Sequence, residues 1–412
     1  MKILKAFKYK LEPTNSQIAL LYRMAGCGRV VFNDSLEFML NILKIETGIS
    51  DKKALYKYLN DLPPKERIAL IKKLPTAFTL NKHLTQWKKK EDRVWLGEAY
   101  TDNLQQRQKD LAASASEWCK GKRGFPVFRQ RKLAHHSTMR FVNFTKYCGI
   151  EKRHFKLPNK LGLVKYRHSQ PISGKPKNAT VSLNVCGEWH ISIMCEIELS
   201  KPQSTATTAV GIDMGIAKNM TLSNGLVFSG VHSFKSIMGN LAKEQRKFAR
   251  MVKGSANWQK QKLKIAKLHQ KASDVRRDYQ QKSTTMISNN HAMIIVEDLK
   301  VANMSKSAKG SADQHGRNVK QKSGLNRAIL DQGWGEIRRQ LSYKMEWQGG
   351  VFMAVPPHHT SQTCPVCLHK DKANRLTQAN FVCVGCGFTE NADIVGAINV
   401  LNRGLAALAK TS

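Results

Sequence analysis

"CPVCLHKDKANRLTQANFVCVGCGFTENADIVGAIN", Cys364 to Asn399, carries four cysteines in two Cys-x-x-Cys pairs, with an aspartate soon after the last of them. Cys364 and Cys367 form the first pair, Cys383 and Cys386 the second, and 15 residues separate the two. Each pair suits a tight turn, with Gly385 and Gly387 allowing the second. Four thiolates at this spacing can converge tetrahedrally on one ion, and sulfur donors select zinc. Four protein ligands leave no open position, so the expected Zn2+ is structural rather than catalytic. It should supply about 10 kcal/mol of local folding energy. The basic residues between the pairs, Lys370, Lys372 and Arg375, either touch nucleic acid or stand on a solvated loop.

Asp393 lies seven positions beyond Cys386, at the start of an expected apolar helix, "NADIVGAINVLN". Two more acids share this kind of position: Asp213 ends an apolar strand in "GIDMG", and Glu297 ends another in "IIVED". A buried carboxylate is costly unless it is paired or bound to a metal. Three converging carboxylates would hold two Mg2+ ions, which prefer hard oxygen ligands. Two such ions can activate a water and stabilise the leaving oxygen of a phosphodiester. Asp298 is the competing neighbour, but strand alternation puts it on the opposite face from Glu297. A plainer reading has Glu297 ending a strand and Asp393 capping a helix; Asp393 can do both.

The chain around these motifs is strongly basic: 68 Lys plus Arg against 30 Asp plus Glu in 412 residues, a net charge of +38. The basic residues are spread along its whole length, with no apolar run of about 18 residues beside them, no secretory leader and no lipidation motif. A polyanion, and so nucleic acid, is the expected partner, with no membrane. Five further cysteines, Cys27, Cys119, Cys148, Cys186 and Cys195, are scattered, and an odd total argues for thiols in a reducing compartment. A hydrophobic share of 41% is enough for real cores, and the length allows two to four domains.

The opening "MKILKAFKYKLEP" alternates as a half-buried strand ended by Pro13, and Thr14 or Asn15 should cap the helix that follows. Helical patterning runs to about Lys120, interrupted at Pro63-Pro64 and Pro75, with most of Trp87, Trp95 and Trp118 expected in the core. "GKRGFPVFRQRKLAHH" is either a linker or a phosphate-contacting strip in which Phe125 or Phe128 stacks on a base. From about Ser137 to Ser200, short β-rich runs predict a small barrel or sandwich, into which the first strand can pair. "KPQSTATT" reads as a linker. Three strands then carry Asp213 and a turn at Asn224-Gly225. One long helical stretch follows, roughly Phe234 to Lys282, with an apolar stripe of Ile265, Leu268, Ala272, Val275 and Tyr279. It carries 14 Lys plus Arg against 3 acids, more than solubility needs, which favours polyanion contact. Beyond the Glu297 strand come a structureless Gly/Ser/Lys loop, a single helix over "GLNRAILDQGWGEIRRQLSYKMEWQ" and the strand "GGVFMAVPP".

"GIDMGIAKNMTLSNG", "KGSANWQKQKLKIAKLH", "AMIIVEDLKVANMSKS", "KSGLNRAILDQGWGEIRRQL" and the "TSQTCPVC" to "NVLNRG" segment resemble the TnpB (OrfB) proteins of bacterial insertion sequences, which are related to type V CRISPR effectors. The likeness is close over the C-terminal half and extends in outline to "KAFKYKLEPTNSQIALL". It implies a multidomain α+β protein. A wedge-type β-barrel would span 1–12 and 137–200, and a helical recognition lobe 13–136. A RuvC-like nuclease domain of RNase H fold would span 208–412, with a zinc ribbon inserted at 360–390. The implied activity is RNA-guided cleavage of double-stranded DNA next to a short motif, with a guide RNA from the transposon end and one chain per guide. The setting would be the bacterial cytoplasm, at the nucleoid. The family's catalytic acids map onto Asp213, Glu297 and Asp393, with no departure there or at the four cysteines. That speaks against the alternative, an RNA-guided DNA-binding repressor without cleavage. A transposase acting by itself is disfavoured: the one adjacent histidine pair, His358-His359, lacks the His-hydrophobic-His arrangement, and no helix announces a nucleophilic tyrosine.

Overall fold

Alternation at the N terminus decides the first sheet. In β1 (Lys2–Glu12), Ile3, Phe7, Tyr9 and Leu11 are buried while most residues between them face water. The computed structural model describes residues 1–131, 137–199, 206–311 and 314–410. These fall into two compact units, Lys2–Glu198 and Leu199–Ser412, the latter with Met1.

In the first unit Pro13 stops β1, and Thr14, not Asn15, caps α1 (Asn15–Thr47) in a reciprocal box with Gln17. The helical block continues through α2 (Lys52–Asp61), α3 (Pro64–Lys73), α4 (Ala77–Trp87), a 3-10 stretch (Glu91–Glu98) and α5 (Thr101–Cys119). Its core packs Leu36, Leu40, Leu43, Leu55, Leu59 and Leu111 around Trp118, whose indole N–H donates to the Leu59 carbonyl at 2.9 Å. Trp87 packs half-buried beside a smaller cluster, whereas Trp95 is 40% exposed. The aromatic strip that follows is not free to stack on a base. Phe125 is buried edge-on against Trp118, and Phe128 packs against the same core under the Lys52 ammonium. Arg129 lies over Phe32 and pairs with Asp110, and its backbone N–H donates to Asn33. The end of that strip, 132–136, lies outside the described residues.

The strands are β2 (Thr138–Phe141), β3 (Gly149–Glu151), β4 (His154–Leu157), β5 (Gly162–Tyr166), β6 (Lys175–Leu183) and β7 (Trp189–Glu198), with a single turn, α6 (Phe144–Tyr147), after β2. They form one antiparallel sheet in the order β2-β6-β7-β1-β5-β4-β3. β1 spans its two halves: Lys2 to Lys10 pair with β7, and Leu11 and Glu12 with β5. No ladder among the described residues joins β2 to β3, and strands of both halves share one core, where a small barrel or sandwich was expected. The expected linker at 201–208 lies outside the described residues except for its last three positions.

The second unit is built on a five-stranded sheet of order β10-β9-β8-β11-β12. β8 (Ala209–Asp213), β9 (Lys218–Leu222) and β10 (Val227–Ser229) run antiparallel, while β11 (Met293–Glu297) and β12 (Val351–Val355) join β8 in parallel. The long helical stretch is two helices, α7 (Ser233–Ala249) and α8 (Ala256–Asn290). Gly254 at φ +92° breaks the run, Ser255 caps α8, and Phe248 stacks on Trp258 at 4.8 Å across the turn. The apolar stripe of α8 is only partly covered: Ala272 is buried and Val275 is 43% exposed.

The loop beyond β11 contains a short turn, α9 (Val301–Met304). The single helix expected after it is also two, α10 (Val319–Gln332) and α11 (Trp334–Gln348). Gly333 between them is at φ +69°, and a Cβ there would lie 2.1 Å from Gln280 Nε2. Buried Asp331 ties this region together: it accepts hydrogen bonds from Ser233 and Phe234 at the start of α7 and pairs with Arg276 of α8 at 3.0 Å.

A small hairpin, β13 (Asn380–Val382) and β14 (Thr389–Asn391), precedes α12 (Ala392–Ala409). By length and composition α12 could cross a membrane, which corrects the expectation that the chain has no apolar run of about 18 residues. Its apolarity has a local use, because Ala392, Val395, Ala397 and Val400 are fully buried and the helix lies on the sheet. The approach is so close at β8 that a Cβ on Gly211 would lie 2.1 Å from the Ala397 carbonyl oxygen. Gly211→Ala should therefore force α12 off the sheet and cost about 1–3 kcal/mol. A lower urea midpoint for the second unit checks this.

Candidate active site

Parallel pairing in register places two acids side by side. Ile212 of β8 is the partner of Val296 of β11, and the next residue on each strand is Asp213 and Glu297. α12 brings the third acid: Asp393 stands in its first turn. The cap of α12 is not Asp393 but Asn391, whose side-chain oxygen accepts the Asp393 N–H at 3.1 Å. The Asp393 carboxylate is thus left free for other work. Asp213 Cγ lies 3.4 Å from the point where a side chain on Gly396 of α12 would begin. Asp298 is engaged elsewhere, with Lys300 and Arg338, whose hydrogen bonds hold its carboxyl below the usual carboxylate range.

The electrostatics record how near the three carboxylates are. Burial pushes the Asp213 carboxyl up to about 7, and the charges of Glu297 and Asp393 add to the push. The Arg375 guanidinium opposes it. Glu297, 6% exposed, is also raised by burial, against a hydrogen bond from the Thr360 hydroxyl at 2.9 Å and the charge of Arg403. Asp393 stands 3.5 Å from Lys218 Nζ and 3.6 Å from Arg375 Nη2. One carboxyl buried enough to resist ionisation, beside two others, is a set of hard oxygen donors that an added cation would help to ionise. Hard oxygen donors in that state suit divalent cations such as Mg2+. Among the described residues the carboxylates are spread more loosely than the cysteines, which alone bring three or more donor atoms within 4.8 Å of one another.

The cysteine set fits zinc closely. Cys364 and Cys386 Sγ are 3.7 Å apart, and Cys367 and Cys383 Sγ 3.5 Å. Tetrahedral thiolates on zinc stand about 3.8 Å from one another. Both turns are built alike: Leu368 N–H donates to the Cys364 carbonyl and Gly387 N–H to the Cys383 carbonyl, with both residues at positive φ, 62° and 75°. Leu368 therefore does in the first turn what Gly387 does in the second. Gly385 is needed for space instead, since a Cβ there would meet the His369 ring at 3.1 Å. Of the three basic residues between the pairs, Lys370 and Lys372 are exposed, while Arg375 turns to Asp393. His358 and His359 are exposed on the approach to the ribbon, and His359 contacts Gln362.

Sequence reasoning left out Lys218, Thr360 and Asn399. Asn399 of α12 donates to the carbonyls of Thr360 and Thr363, both at 2.7 Å. Lys218 sits five residues after Asp213 in the quoted "GIDMGIAKN", a lone cation beside an acid. Nothing in one sequence ties Thr360 to Glu297, which is 63 positions away.

Comparison with known proteins gives three family matches. The OrfB_IS605 model, described as "Probable transposase", covers residues 192–308, and "Cas12f1-like, TNB domain" covers 334–400. A "Helix-turn-helix domain" model covers residues 1–44, where the structure has one strand and one unbroken helix. The chain is 44% identical over 409 residues to "Putative RNA-guided DNA endonuclease InsQ" of Escherichia coli (strain K12), covering 99% of this chain and 94% of that one. It is 29% identical over 409 residues to "Putative RNA-guided DNA endonuclease" of Streptomyces pristinaespiralis, covering 99% of this chain and 91% of that one. Among solved structures, "Cryo-EM structure of the Cas12f1-sgRNA-target DNA complex" aligns with a TM-score of 0.56 and 13% identity over 98% of this chain and 99% of that one, a likeness of fold.

Two outcomes follow from the site itself. The metal-free protein should lose stability as pH rises from about 4 to about 7, because Asp213 ionises near 3.8 when unfolded and only at about 7 in the fold. The loss is on the order of 4 kcal/mol, and Asp213→Asn should remove that part of it in urea titrations across that range, leaving the smaller share of Glu297, which burial also raises. Cys383→Ser should release the ion from the ribbon, read as zinc content per chain by elemental analysis.

Proposed function

The chain belongs to the OrfB (TnpB) family of insertion-sequence proteins, and on that premise we propose that it is an RNA-guided DNA endonuclease. In this reading the second unit is a RuvC-like nuclease of RNase H fold with the zinc ribbon set between β12 and α12. The observation that carries it is the convergence of Asp213, Glu297 and Asp393, from two neighbouring parallel strands and one helix start, at a single edge of the sheet. These three would hold two Mg2+ ions, which supply an activated water and charge stabilisation for phosphodiester hydrolysis.

The chain's own residues do the rest. β8 and β11 fix the spacing of Asp213 and Glu297, and α12 delivers Asp393 from the opposite side of the contact. Lys218 and Arg375 pair with Asp393, and their charges would also attract a phosphate brought to it. Thr360 holds one oxygen of Glu297.

The remaining charge serves the nucleic acids. With 68 Lys plus Arg in the chain and 14 of them on the α7–α8 segment, a guide RNA and its DNA heteroduplex would be held by backbone and shape while base pairing reads sequence. The first unit then divides by role. On this reading its seven-stranded sheet, β1 with β2 to β7, is the wedge, and its helical block, α1 to α5, is the recognition lobe. The guide would come from the transposon end, one chain would serve one guide, and the work would be done at the bacterial nucleoid, where thiols stay reduced.

The intact acids favour cleavage over guided binding alone, since a repressor has no use for three carboxylates gathered at one edge, with Glu297 buried among them. Asp213→Ala should abolish Mg2+-dependent cutting of target duplex by the RNA-bound protein, by 100-fold or more on an order-of-magnitude expectation, while RNA binding stays within about twofold of wild type. Undiminished cutting would sink the assignment. Because Arg375 joins the ribbon to Asp393, Cys383→Ser should also slow cutting, through a misplaced Asp393; normal rates in a zinc-free variant would break that link.

A further inference from the structure

Glu297 is the acid whose orientation is most closely controlled, and the control comes from a residue outside the triad. Its Oε1 accepts a hydrogen bond from the Thr360 hydroxyl at 2.9 Å, and both residues are nearly sealed from water, at 6% and 4% exposure. Thr360 Oγ1 also lies 3.1 Å from the Pro357 carbonyl. A hydroxyl has one proton to give, and an ionised carboxylate at the shorter distance is the stronger acceptor.

Thr360 is itself held. Its carbonyl accepts one N–H of the Asn399 amide at 2.7 Å, and the other N–H goes to the Thr363 carbonyl at 2.7 Å. Both donors of a buried amide are thus spent on pinning the segment that leads from β12 to Cys364. Asn399 stands six residues after Asp393 on the same helix, on its buried face. One rigid element therefore carries one acid of the site directly and governs another through two hydrogen bonds.

We infer that Thr360 is a positioning residue of the metal site, with Asn399 as its anchor. Resting on the reading of Glu297 as a metal ligand, the inference assigns the Thr360 hydroxyl the task of engaging Oε1 so that Oε2 faces the cation. A ligating carboxylate that has lost its hydrogen-bond donor can rotate, and metal affinity falls even though every ligand is still present. This also gives the ribbon stem a second route to the chemistry, separate from the Arg375–Asp393 pair.

The test uses the full-length chain without nucleic acid and Mn2+ as the probe, with the free ion followed by electron paramagnetic resonance. Zinc content per chain serves as the check on folding. Thr360→Val keeps the shape and removes the donor, and should weaken Mn2+ binding about 10-fold or more. Thr360→Ser keeps the hydroxyl and should stay within about twofold of wild type. The Mg2+ concentration for half-maximal cleavage by the RNA-bound protein should move in the same order. If the Val variant loses its zinc, Thr360→Ala gives the same comparison without the added methyl.

Equal Mn2+ affinity in the Val and Ser variants, whether both normal or both weak, would overturn the inference. Glu297→Gln separates the two levels. If it binds Mn2+ as wild type does, Glu297 is not a ligand and the underlying reading fails. If it loses binding while Thr360→Val keeps it, only the role of Thr360 fails.

Discussion

The second unit depends on one close approach of backbone to backbone. At Gly211 the strand β8 meets α12 with no room for a methyl group, and the Ala397 carbonyl fills the space a side chain would take. Two residues along the strand from that contact is Asp213, and four residues back along the helix is Asp393. A larger residue at Gly211 would push helix and strand apart, and the acids would part with them. The apolar character of α12 has the same origin: the helix covers β8 and β11, and its buried face is made of small and branched residues that allow the approach.

Bringing three acids to one edge of a sheet sets up an electrostatic demand that the rest of the site answers. Asp213 resists ionisation because water is excluded and two carboxylates stand near it. Protein cations answer part of the demand at Asp393, where Lys218 and Arg375 are both within 4 Å. A hydroxyl answers part of it at Glu297. Arg403 adds its charge at Glu297, so protein cations and a hydroxyl meet two of the acids, while Asp213 is met by the more distant charge of Arg375.

The zinc ribbon is a brace attached at several points. Its first turn follows directly from Thr360 and Thr363, which Asn399 holds, and Asn374 pins its loop by donating to the Gln362 and His369 carbonyls. Its second turn runs through β14 into the cap of α12. A ribbon fastened this way can carry Arg375 to Asp393 at a fixed distance, which a loop held only by its ends would not do.

Much of this was legible in one sequence. Two Cys-x-x-Cys pairs name a metal by donor chemistry and spacing alone, and the alternation of β1 and the apolar strands ending in Asp213 and Glu297 follow from periodicity. These are local signals, carried by residues within a few positions of each other. Tertiary structure decided the rest. The helical runs after Phe234 and before Gln348 broke in two because single glycines at positive φ, Gly254 and Gly333, outweigh a continuous polar-apolar pattern. Phe125 and Phe128 went to the core because Trp118 and the α1–α2 packing were there to receive them. Asp393 was released from capping because Asn391 took that role. Thr360 and Asn399 carry no sequence signal at all, since a hydrogen bond across 63 or 39 positions exists only once the chain has folded and buried both partners together.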